Sequence, residues 1–113
     1  MSTLSQTELA ALAESVLTPN YRPAPIVFER GSGVWLYDTN GTRYLDFAAG
    51  IAVCALGHGH PALTKAIGEQ AQDLLHVSNL YLNRPSIELA HKLTQISFAD
   101  RVYFSNSGAE SNE

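Results

Sequence analysis

Cysteine, long apolar runs and a basic N-terminal segment are scarce or missing in this sequence. Cys54 is the only cysteine, so no disulfide can form within the chain. No stretch approaches the roughly 20 apolar residues that a membrane-spanning helix needs, and the first residues do not resemble a secretion signal. We therefore expect a cytoplasmic protein with no membrane partner, in which Cys54 is a buried and unreactive thiol.

Positive charge is also in short supply. The 113 residues include seven lysines and arginines against eleven aspartates and glutamates, which gives a net charge of −4. The basic residues are scattered along the chain, so they form no stripe that could neutralise a row of phosphates. This distribution argues against nucleic acid as a partner.

A short helix is predicted at the beginning of the chain. Apolar residues recur at helical spacing over residues 5–17, and Ser5 with Glu8 has the form of a capping box. The prolines of residues 18–25 end this helix, because proline lacks an amide donor. We expect an extended connector there.

Three short strands are predicted next, because β-branched and aromatic residues cluster over residues 26–28, 34–37 and 44–47. Residues 31–33, Gly-Ser-Gly, would form the first turn. The pair Asn40-Gly41 is a strong hairpin signal, because both residue types tolerate positive φ. An antiparallel meander is the simplest arrangement of these strands.

In the remainder of the chain the sequence pattern predicts three helices and one further strand. Residues 48–57 are small and apolar without a clear period, so we expect a buried, irregular segment. Two amphipathic helices follow, over residues 61–76 and 85–97. Residues 101–104 are expected to form a strand that leads directly into a helix capped by Ser107. This order predicts an α/β fold that begins with the antiparallel meander.

The junction at Ser107 carries the clearest chemical signal. Ser107 can cap the helix, with Glu110 completing an S-x-x-E box, which leaves the amides of Gly108 and Ala109 free. Free amides, the positive end of the helix dipole and a glycine that permits close approach suit a phosphate monoester. An ordinary capped helix has the same residues, so the pattern alone leaves both interpretations open.

Other possible sites are weaker. The segment His58-Gly59-His60 offers two metal ligands, but no further ligand lies at zinc-like spacing, so we expect a turn there and no metal. His76 and His91 are assigned no chemistry. The sequence lacks the paired carboxylates and the G-x-S-x-G elbow that would indicate a hydrolase.

Five motifs lie in a characteristic order between about Tyr21 and Glu113. They are Arg30–Asp38, Gly41–Asp46, Ala48–Val53 leading to Leu56–Pro61, His76–Asn79, and Phe104–Glu113. Together they resemble the class III aminotransferases, which depend on pyridoxal phosphate, and among these the enzymes that act on N-acetylornithine. The order of the five motifs is far more specific than any one of them.

The resemblance implies the type I fold of pyridoxal-phosphate-dependent transferases, and a homodimer. Residues 1–57, with the helix, the connector and the meander, would form the N-terminal part of the small domain. Residues 58–113 would begin the large cofactor-binding domain. By the same resemblance Ser107, Gly108 and Ala109 would bind the phosphate of pyridoxal 5'-phosphate, in agreement with the anion site inferred above.

The reaction that the resemblance implies moves the amino group of N2-acetyl-L-ornithine to 2-oxoglutarate, giving N-acetyl-L-glutamate 5-semialdehyde and L-glutamate, in arginine biosynthesis. Relatives that act on free ornithine have a tyrosine at the position of Ile51, so an apolar residue there favours the acetylated substrate. Succinylornithine, ornithine and 4-aminobutyrate aminotransferases and glutamate-semialdehyde aminomutase share the framework and stay open as alternatives. A non-catalytic phosphate-binding module also stays open.

Such enzymes need a lysine that forms a Schiff base with the cofactor. Lys65 and Lys92 are the only lysines, both lie on predicted amphipathic helices, and neither stands in the family's lysine context. The chain also stops at Glu113, within the first turn of a predicted helix. We therefore expect a truncated enzyme that lacks its Schiff-base lysine and is inactive by itself.

Overall fold

The computed structural model describes residues 4–113, so residues 1–3 of the predicted 1–57 segment lie outside the described part. The elements within the described part are α1 (Gln6–Val16), β1 (Phe28–Ser32), β2 (Trp35–Asp38), β3 (Arg43–Leu45), α2 (Ala49–Ala52), α3 (Pro61–Asp73), α4 (Arg84–Ile96) and α5 (Gly108–Asn112). None of these helices is long and apolar enough to cross a lipid bilayer.

Helix α1 begins with the predicted capping box. The Ser5 hydroxyl oxygen accepts a hydrogen bond from the Glu8 amide, and the Glu8 carboxylate accepts one from the Ser5 amide at 2.8 Å. These two bonds satisfy amide groups that have no partner inside the helix. The proline-containing segment 18–25 is neither helix nor strand. The predicted helix is confirmed, and residues 18–25 do form a connector, although Pro19 and Asn20 make a turn within it.

The three strands form the predicted antiparallel meander, in the order β1-β2-β3. The predicted first turn was wrong in its position. Gly31 and Ser32 belong to β1, and the turn is made by Gly33 and Val34, with Gly33 at φ +55°. Gly31 is needed inside the strand, because a Cβ at this position would lie 2.5 Å from the Cγ atom of His58.

Aromatic side chains occupy both faces of the meander. On one face the rings of Phe28 and Tyr44 meet edge to face, with centroids 5.3 Å apart. On the other face the guanidinium of Arg30 lies 3.5 Å from the centroid of the Tyr37 ring, which is a cation–π geometry. Strand pairing places Arg30 opposite Tyr37 on the neighbouring strand, whereas Phe28 of β1 and Tyr44 of β3 meet across the intervening strand β2.

Residues 48–57 differ from their prediction. The segment is irregular, as expected, but it is not buried: Ile51 is 91% exposed and Val53 is 78% exposed. Cys54 is half-buried rather than buried. The apolar composition indicated a core position, but no other element within the described residues covers this segment.

The two long helices are confirmed, with α3 ending at Asp73 instead of residue 76. The α4 helix is capped by Asn83, whose side-chain oxygen accepts a hydrogen bond from the Ser86 amide at 3.0 Å. The strand predicted over residues 101–104 was wrong, because this segment pairs with no strand of the described part of the chain. A strand requires a hydrogen-bonded neighbour, and β propensity cannot supply one.

Little apolar surface is covered. No hydrophobic residue between positions 4 and 113 is buried, and Asp38, at 3% exposure, is the only buried polar one in that range. The helices and strands therefore form without a closed hydrophobic core.

The chain divides into two compact units, one ending at Glu69 and the other running from Gln70 to Glu113. This division falls within α3. The domain boundary expected after residue 57 concerns the domains of a whole aminotransferase and stays a prediction.

Candidate functional site

The first candidate region is the turn that begins α5. Ser107 is the N-cap, and its hydroxyl oxygen accepts a hydrogen bond from the Glu110 amide at 3.2 Å. The Glu110 carboxylate turns back and accepts a hydrogen bond from the Asn106 amide at 2.7 Å. The predicted cap is confirmed, with the carboxylate bound one residue earlier than a standard capping box requires.

Two further serines brace this turn. The hydroxyl groups of Ser105 and Ser111 each donate a hydrogen bond to the Ser107 carbonyl, at 3.2 Å and 3.1 Å, and they also contact each other. The Ser111 amide bonds the same carbonyl at 3.1 Å. The backbone at Ser107 is therefore held by several bonds, although α5 is only one turn long.

The amides of Gly108 and Ala109 face no acceptor among the described residues. A Cβ built on Gly108 would meet nothing within 4 Å, so the chain itself does not require glycine here. Adjacent free amides at the positive end of a helix, next to open space, can receive an oxyanion. These residues fit a phosphate group.

The second candidate region lies at the end of the meander, around Asp46 and His58. The Asp46 Oδ2 and His58 Nε2 atoms lie 2.7 Å apart, and the Asp46 side chain is only 7% exposed. Its other oxygen accepts hydrogen bonds from the amides of Ala48 and Ala49, at 3.1 Å and 2.8 Å. The hydrogen bond from His58, together with those from the two amides, holds the pKa of Asp46 below its ordinary value.

His58 is itself fixed to the meander. Its amide and carbonyl exchange two hydrogen bonds with Gly33, at 2.8 Å and 2.9 Å, and its ring packs against Gly31. The sequence predicted a turn at residues 58–60, and Gly57 and Gly59 do have positive φ values. It gave no sign that His58 meets Asp46, because twelve residues separate them and only the fold of the meander closes that distance.

Helix α2 is a single left-handed turn between these two residues. Ala49, Ile51 and Ala52 have φ values of +45°, +65° and +62°, and Gly50 has +63°. Left-handed helical backbone costs about 1–2 kcal/mol for each non-glycine residue. Hydrogen bonds from Ile51 and Ala52 to the Ala48 carbonyl, at 2.8 Å and 3.0 Å, close the turn. A branched residue at positive φ is what sequence rules disfavour most, so the sequence did not predict this conformation.

A buried carboxylate also organises the β2–β3 hairpin. Asp38 accepts hydrogen bonds from the amides of Asn40 and Thr42, at 2.9 Å and 2.8 Å, and from the Tyr44 hydroxyl at 3.1 Å. Burial by itself would raise the pKa of Asp38, but these bonds together outweigh it and hold the pKa below its ordinary value. Burial and the neighbouring Asp38 carboxylate raise the pKa of Tyr44. This network shapes the turn and faces no open site.

The second unit contains an open groove of about 590 Å³. Its lining includes His76, Tyr81, Ile87 and Phe104, but none of the residues predicted to bind phosphate. His76 accepts a hydrogen bond at Nε2 from the Ser78 amide at 3.1 Å, which is a structural contact.

The two lysines have no catalytic surroundings. Lys65 lies 3.8 Å from Glu69 in an exposed pair along α3, with 74% of its side chain accessible. Lys92 is exposed on α4. The expectation that both are solvated is confirmed. No group of three or more metal-binding side chains is found among residues 4–113.

Known proteins are similar to this chain in sequence and in fold. Residues 16–113 match the family described as "Aminotransferase class-III". The acetylornithine aminotransferase of Pseudomonas putida is 56% identical over 100 residues, which are 88% of this chain and 25% of the relative.

Solved structures agree. The acetylornithine aminotransferase of Elizabethkingia anophelis superposes with a TM-score of 0.92 at 34% identity, over 97% of this chain and 29% of the other. The taurine:2-oxoglutarate aminotransferase of Bifidobacterium kashiwanohense, solved in complex with PLP and glutamate, gives a TM-score of 0.85 at 29% identity, over 99% and 26% of the two chains.

The fold is therefore that of the α/β aminotransferases, as the sequence predicted. The chain belongs to the class III aminotransferase family. It spans about a quarter of the length of the curated relatives that it matches.

Proposed function

We propose that the whole protein containing these residues moves the amino group of N2-acetyl-L-ornithine to 2-oxoglutarate, in arginine biosynthesis. Support comes from the relatives, because the P. putida protein of that activity is 56% identical over 88% of this chain. We further propose that residues 1–57 belong to its small domain and residues 58–113 to its large domain. By the same resemblance it would be a cytoplasmic homodimer.

The proposed cofactor is pyridoxal 5'-phosphate, held through its phosphate by Ser107, Gly108 and Ala109. The observation that carries this assignment is the pair of free amides beside an open glycine at the start of α5. The Ser107 hydroxyl oxygen already accepts from Glu110, so its hydrogen is available to donate to a phosphate oxygen. When bound, the cofactor supplies the electron sink for amino-group transfer.

Ile51 is the proposed contact for the N2-acetyl group of the substrate. The left-handed turn leaves this residue 91% exposed, so its apolar surface is available to a ligand. An apolar residue suits the neutral acetamide end of N-acetylornithine better than the charged ammonium of ornithine, because a charged group loses more hydration energy beside it.

The chain by itself does not supply the Schiff-base lysine, since neither Lys65 nor Lys92 lies near the proposed phosphate turn in sequence and both are exposed. We propose that this lysine is provided elsewhere in the whole protein. A whole protein without such a lysine would contradict the assignment to an active aminotransferase.

The direct test uses the purified whole protein loaded with the cofactor. We expect a visible absorption band that is bleached by N-acetylornithine and restored by 2-oxoglutarate. Bleaching by 4-aminobutyrate alone, or by succinylornithine in strong preference, would replace the proposed substrate with that amine. No band at all would favour the phosphate-binding module.

The role of Ile51 is tested by the substitution Ile51→Tyr in the whole protein. We expect kcat/KM for N-acetylornithine to fall. The ratio of kcat/KM for ornithine to kcat/KM for N-acetylornithine should rise by about tenfold, which corresponds to about 1.4 kcal/mol. Val53→Tyr is the matched control, because Val53 is also exposed but lies outside the left-handed turn. An equal ratio in both variants would remove Ile51 from the substrate contact.

A further inference from the structure

We propose that Asp46 is a positioning residue, which acts with His58 as a clamp that holds the left-handed turn α2 and thereby fixes Ile51. The proposal rests on the proposed function, in which Ile51 contacts the substrate. It gives a role in substrate selection to two side chains that touch neither substrate nor cofactor in that function.

The first observation is that α2 needs external support. Three of its residues, Ala49, Ile51 and Ala52, are not glycine and yet have positive φ. Such a conformation persists only where the surroundings determine it strongly. No apolar burial does so here, because Ile51 and the neighbouring Val53 are largely exposed.

The second observation is that Asp46 supplies this support. Its Oδ1 atom accepts from the amides of Ala48 and Ala49, the two residues through which the chain enters the turn. Its Oδ2 atom lies 2.7 Å from His58 Nε2. One nearly buried carboxylate thus joins the beginning of the turn to His58, which lies beyond its end at Ala52.

The third observation is that the clamp has a fixed base. The backbone of His58 exchanges two hydrogen bonds with Gly33, and its ring packs on Gly31 in β1. The contacts of His58 therefore fix the position of α2 relative to the sheet of the meander. A turn that is held in this way can keep a side chain within the narrow range of positions that substrate discrimination needs.

The test compares variants of the whole protein at the clamp. We expect Asp46→Ala to raise KM for N-acetylornithine by about tenfold or more, with a smaller change in kcat and an unchanged dissociation constant for the cofactor. Asp46→Asn is expected to stay close to the wild type, since its amide oxygen still accepts from Ala48 and Ala49 and its NH2 group can donate to the Nε2 atom of a neutral His58 ring. Glu14→Ala, an exposed carboxylate on α1, is the control.

A second substitution distinguishes positioning from a direct electrostatic effect. Ala52→Gly should restore a low KM to Asp46→Ala, because glycine adopts positive φ without strain. Ala55→Gly is the matched control, since Ala55 is exposed and has no positive φ. If Asp46→Ala alone does not fold, the doubly substituted Asp46→Ala/Ala52→Gly protein is expected to fold and to keep its KM. A double variant that remains impaired would overturn the proposal.

Hydrogen exchange gives a readout that needs no activity. Asp46→Ala should speed exchange at the amides of residues 51–54, which close the turn on Ala48 and Ala49, and should leave α4 unchanged. Unchanged exchange in residues 51–54 would overturn the clamp even in an active enzyme. Failure of N-acetylornithine as a substrate would instead overturn the proposed function, while the exchange result still decides the clamp.

Discussion

Single residues in this chain act through backbone conformation and hydrogen bonding more than through packing. Asp38 and Asp46 each gather two amides and one side-chain donor, and each has its pKa lowered by those bonds. Gly31 is required by the close approach of His58, whereas Gly108 has open space around its Cβ position. The same residue type therefore serves the fold at one position and is available to a ligand at the other.

The substitution Gly108→Ala should separate cofactor binding from folding. An added methyl group meets nothing within the chain, but it would crowd a phosphate at the α5 amides. Overpacking of about 1–3 kcal/mol would weaken the affinity of the whole protein for pyridoxal 5'-phosphate by about 5-fold to 150-fold. Gly68→Ala on α3 is the matched control, since its Cβ position is also open. Equal affinities in the two variants would contradict the proposed phosphate site.

Acid should weaken the hairpin at Asp38. Because the folded pKa of Asp38 lies below its unfolded value of about 3.9, its contribution is present above pH 4 and is lost as pH falls through the folded pKa. The whole protein should therefore melt at a higher temperature than its Asp38→Asn variant at neutral pH, and this difference should shrink below about pH 4. A difference for Asp38→Asn that stays constant down to pH 3 would contradict the linkage.

At the scale of elements, most helices carry their own start signals. Ser5, Asn83 and Ser107 each cap a helix through a side-chain oxygen. These bonds are local in sequence, so they form whatever the rest of the chain does. The left-handed turn α2 is the opposite case, because it depends on Asp46 and His58 on either side of it.

Removal of the α4 cap should have a measurable cost. We expect Asn83→Ala to lower the free energy of unfolding of the region by about 1 kcal/mol, because the Ser86 amide loses its acceptor. Urea denaturation of the whole protein, or exchange at the first turn of α4, would measure it. Asn83→Asp keeps an acceptor oxygen and should remain near the wild type. Equal losses in the two variants would show that the cap bond is not the cause.

At the scale of the whole chain, residues 4–113 leave a large apolar surface uncovered. Residues such as Phe47, Leu82 and Phe98 are more than 85% exposed, and no apolar residue among positions 4 to 113 is buried. A few exposed apolar residues are normal on a protein surface. Here most of the large apolar side chains are exposed, so the described residues form no hydrophobic core. The remaining stabilisation is local, from caps, turns and strand pairing.

The isolated chain is therefore expected to associate with itself and to bind a hydrophobic dye. After gel filtration it should retain no absorption band from added pyridoxal 5'-phosphate, and it should show no transamination, because it supplies no Schiff-base lysine. Sedimentation velocity and absorption spectra would check both expectations. A monomer that melts cooperatively would contradict the first, and a visible absorption band would contradict the second.

Local signals made α1, the meander, α3, α4 and the Ser107 cap predictable from the sequence, since each depends on residues a few positions apart. The motif order also indicated the family, which the comparisons confirmed. The strand expected at residues 101–104 was wrong, because pairing requires a partner strand that no local pattern supplies.

The sequence by itself determined where α1, α3, α4 and α5 begin, where the second hairpin turns and which family the chain belongs to, because these depend on short-range chemistry and on motif order. Only the tertiary structure decided that Asp46 meets His58, that Gly31 must accommodate an imidazole ring, and that Ile51 lies on a left-handed turn. Each of these depends on the meander bringing residues a dozen or more positions apart into contact, and periodicity and residue preference carry no information about such contacts.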